Sequence, residues 1–357
     1  MTTFDYIIIA CAFVLSGLTS FLCTPFAKRV AVRIGAIDVP KDNRRMHKKP
    51  IPRLGGLAIF LGFFVSTLIF TFNFMSRQVY GMLIGAMIIV VLGMADDVLA
   101  LKPSAKFVVQ LLAVAFPVAS GIRIERFPDI FGQGSYFELP LWLSCVASVI
   151  WLLAILNAVN IIDGLDGLAC GVSSIMTICV TAIVILLEAP QVAIIAAALA
   201  GACIGFLPYN INPAKLFMGD TGSMFIGYTL ACLSIIGLFK AYAIVAFFVP
   251  MLIFLLPIFD LLFAAVRRIL TGHSPMRADK SHLHHKLIAI GFSQKQAVAI
   301  LYGVAAILGF CAVLITADSF GKALIIIGVA FVFVMIAALV LYRRQKRAEK
   351  EEQHEQD

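Results

Sequence analysis

Long apolar segments with almost no charge recur along the whole of this 357-residue chain. A segment of about 18 such residues or more is long enough to cross the hydrocarbon core of a bilayer as a helix. Only 13% of the residues are charged and 61% are hydrophobic, so the chain has too little charge to cover a water-facing surface. The sequence therefore predicts an all-α polytopic membrane protein.

We predict eleven transmembrane helices, at residues 4–27, 55–75, 79–95, 105–121, 140–159, 168–188, 191–208, 221–239, 243–268, 295–316 and 321–342. The first has no basic segment before it and no small-residue cleavage site, so we expect a retained helix and not a signal peptide. Pro250 and Pro257 precede Asp260 in the ninth and predict a broken or kinked helix. We expect one membrane domain over residues 1–345 and a charged tail over 346–357.

The distribution of Lys and Arg orients these helices. All but five of the 28 basic residues fall in connections on one side of the predicted membrane or in the C-terminal tail. The other side keeps Arg77, Arg123, Arg126, Lys240 and Lys322. Because cytoplasmic loops carry the excess of positive charge, we expect the N-terminus outside and the C-terminus in the cytoplasm. The net charge of +8 then reflects orientation and anionic partners, and nucleic acid is not expected as a partner.

Two smaller features agree with this architecture. The outer loop GIRIERFPDIFGQGSYFELP alternates apolar and polar residues on both sides of GQG, which predicts a small extracytoplasmic β-hairpin. The eight cysteines lie in or beside apolar segments and form no CxxC pair, so we expect buried free thiols that form neither disulfides nor metal sites.

Carboxylates and amides gather at predicted helix ends on the cytoplasmic side. GMADDVLALKPSAK closes the third helix, NAVNIIDGLDG closes the fifth and FMGDTGSMFIG opens the eighth. Together these segments supply Asp96, Asp97, Asn157, Asn160, Asp163, Asp166 and Asp220. An Asp at the centre of a membrane helix costs roughly 2.5–3.5 kcal/mol, and less near the interface, so three such clusters on one side indicate a shared function.

A metal site is the function that these oxygens favour. Asn157, Asn160 and Asp163 are spaced by three and share one helix face, and Gly164 and Gly167 allow the chain to turn back sharply. Amide and carboxylate oxygens suit Mg²⁺, with Mn²⁺ as the alternative. Polar caps that end helices at the membrane interface are the simpler interpretation of each motif taken alone.

Positive charge gathers on the same side. The basic candidates are His47 and Arg53 in RRMHKKPIPRLGG, Lys106 at the start of the fourth helix, and Arg277, His282, His284 and His285 in TGHSPMRADKSHLHHKLIAIGFSQKQ. Arg and His beside a metal favour phosphate binding, whereas a zinc site here lacks both a cysteine and an HExxH motif. Lipid headgroup binding by the first segment and a solvated loop for the last are the alternatives. Ser293 and Gln296 predict a capping box where the tenth helix begins.

A divalent cation, fixed cations for phosphate and a lipid-facing scaffold together predict phosphoryl transfer at the cytoplasmic membrane face. No GxxxxGK[ST] segment indicates ATP hydrolysis, so we expect a nucleotide-linked donor and a lipid phosphate acceptor. Two other classes stay open at this point. A cation-coupled transporter can use intramembrane aspartates and broken helices, and an intramembrane aspartyl protease would use two aspartates, one of them in the MGD of FMGDTGS.

MADD, NAVNIIDGLDGLA, FMGDTGS and ADKSHLHHKL, in this order, resemble the polyprenyl-phosphate N-acetylhexosamine-1-phosphate transferases. That family includes the enzymes that start teichoic acid, O-antigen and related glycans, and also the phospho-MurNAc-pentapeptide translocase. The resemblance covers nearly the whole chain. ADKSHLHHKL is similar to the branch that uses UDP-N-acetylglucosamine, and it differs from the HHHFE-type ending of the pentapeptide translocases.

The resemblance implies a role for each group of candidates. The metal ligands would be Asn160 and Asp220. The catalytic residues, at the lipid phosphate and beside the metal, would be Asp96, Asp97, Asp163 and Lys106. The donor's pyrophosphate and sugar would be held by Arg277, His282, His284 and His285, and its uridine by the loop that follows Asp163. Further substrate-binding candidates are His47, Arg53, Asn157 and Asp166.

The reaction that the resemblance implies is transfer of GlcNAc 1-phosphate from UDP-GlcNAc to undecaprenyl phosphate, with release of UMP. It would start a cell-envelope glycan at the cytoplasmic face of a bacterial plasma membrane, with Mg²⁺ as cofactor, and a homodimer stays open. Direct attack by the lipid phosphate is expected because a phosphate monoester, whose second pKa is about 6, is already mostly ionised near neutral pH. A two-step route through a phosphorylated aspartate is the alternative.

Overall fold

Helices dominate the structure because a helix satisfies the backbone N–H and C=O groups of an apolar segment without water. The structure is a computed structural model that describes residues 1–40, 49–128, 136–239, 243–271, 282–319 and 321–329. Most of these residues are helical, and nine of the helices in this part of the chain are long and apolar enough to cross a membrane. The predicted all-α polytopic class is confirmed.

Eleven helices are numbered here in chain order. They are α1 Thr3–Ile34, α2 Gly55–Thr71, α3 Arg77–Leu99, α4 Pro103–Ala119, α5 Leu141–Ile161, α6 Leu168–Leu186, α7 Pro190–Asn210, α8 Gly219–Leu233, α9 Ala243–Leu270, α10 Leu283–Ala289 and α11 Gln294–Thr316. A 3₁₀ turn, Phe72–Phe74, extends α2, and a π-helical turn, Ser234–Leu238, extends α8. Residues 321–329 are also helical.

The number of membrane spans and their orientation are still predictions, because the described residues do not test them. The fourth predicted span corresponds to α4, which has 17 residues and is not among the nine long helices, whereas α2 and α8 reach 20 residues each with the turns that extend them. The eleventh predicted span and the tail at 346–357 lie mostly or wholly outside the described residues. The short helix α10 was not predicted, because its seven residues do not repeat the helical period often enough to be recognised.

Helix α8 is the most enclosed element, with 94% of its most apolar stretch buried when the π-helical turn is included. It packs against α3, α5 and α2. Two glycines allow the closest approaches: a Cβ on Gly56 would lie 2.0 Å from the Gly222 nitrogen, and a Cβ on Gly93 would lie 2.3 Å from Thr221 Cα. The backbones of α2 and α3 therefore rest directly on the first turn of α8, which begins with the FMGD motif.

The ninth predicted helix is not broken, so that prediction is wrong, while a kink at the prolines stays a prediction. Helix α9 runs without interruption from Ala243 to Leu270, with Pro250 and Pro257 inside it. Each proline removes only one backbone hydrogen bond, and both are buried on one side of the helix, two turns apart. Neighbouring helices cover that side, so the helix continues to Asp260, which is buried as expected at 2% exposed.

Two short antiparallel strand pairs connect helices. The strands are β1 Ile37–Asp38, β2 Ile51–Pro52, β3 Arg126–Pro128 and β4 Tyr136–Glu138. The β3–β4 pair confirms the predicted hairpin, whereas the β1–β2 pair was not predicted because two-residue strands show no alternation. Directly after β2, Arg53 forms an isolated parallel bridge with Phe217, which ties the start of α2 to the segment before α8.

The expectation of buried cysteines holds for half of them: Cys170, Cys203, Cys232 and Cys311 are buried free thiols, whereas Cys23, Cys145 and Cys179 are half-buried and Cys11 is exposed. The predicted capping box is confirmed. Ser293 caps α11 in the expected box, in which the Gln296 backbone N–H donates to Ser293 Oγ and the Ser293 N–H donates to Gln296 Oε1 at 2.9 Å.

We predict that Gly56→Ala lowers the free energy of unfolding by about 1–3 kcal/mol, because the new Cβ would overlap the α8 backbone. The matched control is Gly303→Ala on the exposed side of α11, where a Cβ meets nothing within 4 Å. It should be neutral or stabilise the protein by up to about 1 kcal/mol. Thermal unfolding of the two purified variants in detergent measures both effects, and equal melting temperatures would contradict the proposed contact.

Candidate active site

Lys106, in the first turn of α4, joins the end of α3 to the start of α8. Its Nζ donates to Asp96 Oδ2 at 2.7 Å and to Asp220 Oδ2 at 2.9 Å. Asp96 is only 6% exposed, and its other oxygen accepts the Leu101 backbone N–H at 2.8 Å. One ammonium group thus offsets the repulsion between two carboxylates from helices that are far apart in sequence.

Asn160, at the end of α5, holds the second oxygen of Asp220. Its Nδ2 donates to Asp220 Oδ1 at 2.7 Å and to Ser223 Oγ at 2.8 Å. The two residues predicted as metal ligands are therefore in direct contact. In this arrangement Asn160 is a hydrogen-bond donor that orients the Asp220 carboxylate.

Asp97 accepts three hydrogen bonds from the first turn of α8. Its Oδ1 accepts the Asp220 N–H at 3.0 Å, and its Oδ2 accepts the Thr221 N–H at 3.1 Å and the Thr221 hydroxyl at 2.6 Å. Arg53 Nε lies 3.8 Å from Asp97 Oδ1 and donates to the Asp97 carbonyl at 3.0 Å. Because an α-helix leaves its first N–H groups without intrahelical partners, Asp97 acts as a cap supplied by another helix.

The DGLDG turn between α5 and α6 places Asp163 and Asp166 beside this cluster. Asp166 Oδ2 accepts from Asn212 Nδ2 at 2.9 Å and from the Ala214 N–H at 3.1 Å. The Asp163 carboxylate has no such bond with any described residue. Burial raises the pKa of Asp163 well above its usual value, and the nearby charges of Asp220, Asp97 and Asp166 raise it further. A carboxylate in such a place is favourable only beside a positive charge.

Two adjoining cavities share Arg53 and Asp220 in their walls. The smaller one, about 280 Å³, is the acidic cavity, and its other lining residues include Asp97, Asp163, Leu165, Asp166, Asn210 and Phe217. The larger one, about 730 Å³, is the amphipathic cavity, and its other lining residues include Asp96, Lys106, Phe107, Asn160, Leu261 and Ala265. Asp220 and its partners therefore stand between a polar space and a space with an apolar wall.

The HLHH segment lies across both cavities. His282 lines the amphipathic cavity and His285 lines the acidic cavity. Asp260 fixes the segment: its Oδ1 accepts the Leu283 N–H at 2.9 Å, and its Oδ2 lies 3.2 Å from His282 Nδ1.

His284 sits against the DGLDG turn, and a Cβ on Gly164 would lie 2.2 Å from its Nε2. Burial, together with the adjacent His285, lowers the pKa of His284 to about 4. His284 is therefore a neutral imidazole at physiological pH, which suits packing and hydrogen bonding better than charge neutralisation.

The structure brings most of the predicted site residues together. Those that line the two cavities are Arg53, Asp96, Asp97, Lys106, Asn157, Asn160, Asp163, Asp166, Asp220, His282 and His285. Asn157 stands apart from the carboxylates, since it pairs with Gln110 through two amide contacts of 3.1 and 3.3 Å. His47 and Arg277 lie outside the described residues, so their predicted roles stay predictions.

Several residues at the site were not among the predicted ones. They are Gln110, Asn210, Asn212, Thr221, Ser223, Asp260 and Gln294. Thr221 and Ser223 follow Asp220 within FMGDTGS. Hydroxyl groups so close to a carboxylate at a membrane helix end could have been predicted to be hydrogen-bond partners in the site. The partners of Gln110 and Asn212 lie tens of residues away in sequence, and no local pattern indicated them.

The donor set fits a divalent cation by its chemistry. Carboxylates from Asp97, Asp163 and Asp220 line the acidic cavity, and oxygen ligands are what Mg²⁺ and Mn²⁺ prefer. The raised pKa of Asp163 indicates unbalanced negative charge there. Among the described residues no group of three or more His, Cys, Asp or Glu side chains is close enough together to form a complete metal site.

A mostly helical membrane scaffold, with carboxylates in both the acidic and the amphipathic cavity and a lysine in the second, has the features of a membrane-embedded transferase. The chain belongs to glycosyl transferase family 4, whose profile matches residues 79–238. This confirms the family that the four motifs predicted.

Relatives agree with this assignment over most of their length. A Bacillus subtilis protein, the probable undecaprenyl-phosphate N-acetylglucosaminyl 1-phosphate transferase, is 40% identical over 93% of this chain and 92% of its own. The decaprenyl-phosphate N-acetylglucosaminephosphotransferase of Mycolicibacterium smegmatis is 35% identical over 92% and 89%. The phospho-N-acetylmuramoyl-pentapeptide-transferase of Desulforudis audaxviator is 30% identical over 74% and 84%.

We predict opposite effects on stability when two neighbouring aspartates are neutralised. Asp97→Asn should lower the free energy of unfolding by about 1–3 kcal/mol, because an NH₂ group replaces an oxygen that accepts hydrogen bonds from α8. Asp163→Asn should leave the melting temperature unchanged or raise it, because it removes a buried charge that repels its neighbours. Thermal unfolding in detergent compares the two, and a larger loss for Asp163→Asn would contradict the assigned contacts.

Proposed function

We propose that the protein transfers GlcNAc 1-phosphate from UDP-GlcNAc to undecaprenyl phosphate and releases UMP. The observation that carries the proposal is the position of Asp220 at the boundary between the acidic cavity and the amphipathic cavity, where it pairs with Lys106 of the amphipathic cavity. A water-soluble nucleotide sugar and a lipid phosphate can approach that boundary from different sides. The B. subtilis and M. smegmatis relatives are named for transfer of N-acetylglucosamine phosphate to a polyprenyl phosphate, which supports the choice of both substrates.

The acidic cavity would hold the uridine end of the donor. Leu165 and Phe217 give it apolar surface for a base. Asn210 and Gln294 also line it, and the buried atoms Asn210 Oδ1 and Gln294 Nε2 have no hydrogen-bond partner within the described part of the chain. One acceptor and one donor of this kind suit the imide edge of uracil, since buried polar atoms need partners.

The amphipathic cavity would hold the acceptor. Lys106 supplies the positive charge for a phosphate, and Phe107, Leu261 and Ala265 line the cavity as apolar side chains of α4 and α9. A phosphate group on a polyprenyl chain combines the same two properties. The His282 side chain in this cavity would add a hydrogen-bond donor to the transferred phosphate.

Asp163 and Asp220 would hold the Mg²⁺ ion, with Asn160 orienting Asp220, and Asp97 lines the same cavity as a further carboxylate. When bound, the ion would stabilise negative charge on the donor's pyrophosphate. Asp96 keeps Lys106 in place, and Asp97 keeps the first turn of α8 in place. Because both Asp97 oxygens already accept hydrogen bonds, we assign it this positioning role and not that of a proton acceptor.

The lipid phosphate would attack the β-phosphorus of the donor directly. Its oxygen forms the new P–O bond while the bond to UMP breaks, and no base is required because the acceptor is already ionised near pH 7. Lys106 and the HLHH segment would stabilise the charge that spreads over the transferred group. The two-step route is disfavoured at Asp97, because both of its oxygens already accept hydrogen bonds, so a phosphorylated aspartate would have to form on Asp163, which has no such bond with a described residue.

We place this reaction at the cytoplasmic face of a bacterial plasma membrane, where it would begin a cell-envelope glycan such as teichoic acid or O-antigen. Mn²⁺ would be the alternative metal, and no observation on the described residues supports a homodimer. A transporter is disfavoured because the carboxylates lie at helix ends and not at mid-helix. An aspartyl protease is disfavoured because Lys106 forms ion pairs with both Asp96 and Asp220, whereas a protease needs two carboxylates that share a proton.

A panel of radiolabelled UDP-sugars tests the function. With undecaprenyl phosphate and Mg²⁺, the purified protein should convert UDP-GlcNAc to lipid-extractable label and release an equal amount of UMP. Asp220→Asn should lower this rate by about 100-fold or more, since it weakens both the cation site and the contact with Lys106. Casein cleavage or cation-coupled uptake in proteoliposomes, without any label in lipid, would contradict the proposal.

The direct route predicts that no covalent intermediate forms. Protein incubated with β-³²P-labelled UDP-GlcNAc and Mg²⁺ but no acceptor should carry no label after denaturation, and UMP should appear only when undecaprenyl phosphate is added. Isolation of a labelled aspartyl peptide that is chased to product by the acceptor would establish the two-step route instead.

A further inference from the structure

The DGLDG turn is one of the non-helical parts of the site. It links α5 to α6 through residues that are not helical, held by the Gly164 N–H to Ile162 carbonyl bond at 2.9 Å and the Leu168 N–H to Leu165 carbonyl bond at 3.0 Å. It ends at Gly167, whose φ of 77° is a left-handed conformation that favours glycine. The positions of Asp163 and Asp166 therefore depend on what fixes the two ends of this turn.

Tyr302 of α11 fixes the far end. Its hydroxyl donates to the Gly167 carbonyl, across 135 residues of sequence. The ring occupies space that Gly171 leaves free, because a Cβ on Gly171 would lie 1.9 Å from Tyr302 Oη. Any other residue at position 171 would push the ring away, so Tyr302 and Gly171 form a matched contact between α11 and α6.

The start of α11 makes a second link to the same turn. Gln294 Oε1 accepts from Asn212 Nδ2 at 2.9 Å, and the same nitrogen donates to Asp166 Oδ2 at 2.9 Å. α11 thus reaches both Asp166 and Gly167, although it carries none of the predicted catalytic residues. The hydrogen bond to the Gly167 carbonyl and the link through Asn212 to the Asp166 side chain together restrict the turn more than either would alone.

We propose that Tyr302 is a positioning residue for the transfer reaction: its hydroxyl sets the DGLDG turn so that Asp163 and Asp166 face the donor and its cation. This inference rests on the proposed function. The proposed role concerns the donor side of the site, because the turn lines the acidic cavity. Lys106 and its apolar neighbours line the amphipathic cavity, where the acceptor would bind. Loss of the hydroxyl should therefore affect donor and metal and spare the acceptor.

Tyr302→Phe tests the proposal, with Tyr228→Phe as the matched control. The Tyr228 hydroxyl also donates to a backbone carbonyl between two helices, at 3.0 Å from Met82 O, but it lies away from the turn. Tyr302→Phe should raise the donor KM and the half-saturating Mg²⁺ concentration roughly 3–10-fold while the acceptor KM stays unchanged. Tyr228→Phe should lower the melting temperature and leave all three constants at their wild-type values.

Hydrogen exchange provides a readout that does not depend on turnover. Peptides covering residues 162–171 should exchange faster in Tyr302→Phe than in wild type, and at the wild-type rate in Tyr228→Phe. Equal kinetic effects of the two variants, or unchanged exchange and donor KM in Tyr302→Phe, would overturn the positioning role. A wild-type protein without transferase activity would instead refute the proposed function, so the two failures are distinguishable.

Discussion

The ion pairs of Lys106 with Asp96 and Asp220 are the interaction on which the rest of the site depends. They join α3, α4 and α8 at a place where carboxylates are partly or fully removed from water. Removing one partner from a fully buried pair typically costs about 3–5 kcal/mol, because the other charge is left without compensation, and the cost is smaller here because the side chains of Lys106 and Asp220 are 20% and 32% exposed. Within the described part of the chain Asp163 has no such partner, so the described cluster keeps an excess of negative charge that favours a bound cation.

The packing around α8 explains how this charge is held in place. Gly56 and Gly93 let α2 and α3 rest on its first turn, and Asp97 caps that turn from α3. Because α8 is almost entirely enclosed, Asp220 at its start can move little. Asp220 lies in the walls of both cavities, so one rigid carboxylate would contact both substrates. Preorganisation of this kind is what electrostatic stabilisation of phosphoryl transfer requires.

Sequence analysis predicted the helical class, most helix positions and the meeting of three acidic motifs, because each follows from apolar length or from local polarity. It did not predict that Lys106 bridges Asp96 and Asp220, or that Asn157 pairs with Gln110, because such contacts depend on how each helix is rotated about its axis. The broken ninth helix was a wrong inference from local chemistry. Proline weakens a helix in isolation, but packing of its buried side keeps α9 continuous.

Binding of Mn²⁺ to the purified protein in the presence of UDP-GlcNAc, followed by electron paramagnetic resonance, tests whether these carboxylates form one cation site. The wild-type protein should bind about one Mn²⁺ per chain. Asp163→Asn and Asp220→Asn should each weaken that binding by roughly 10-fold or more, because both line the acidic cavity. Unchanged Mn²⁺ affinity in both variants would mean that the carboxylates only hold the helices together, and the proposed metal-assisted transfer would be wrong.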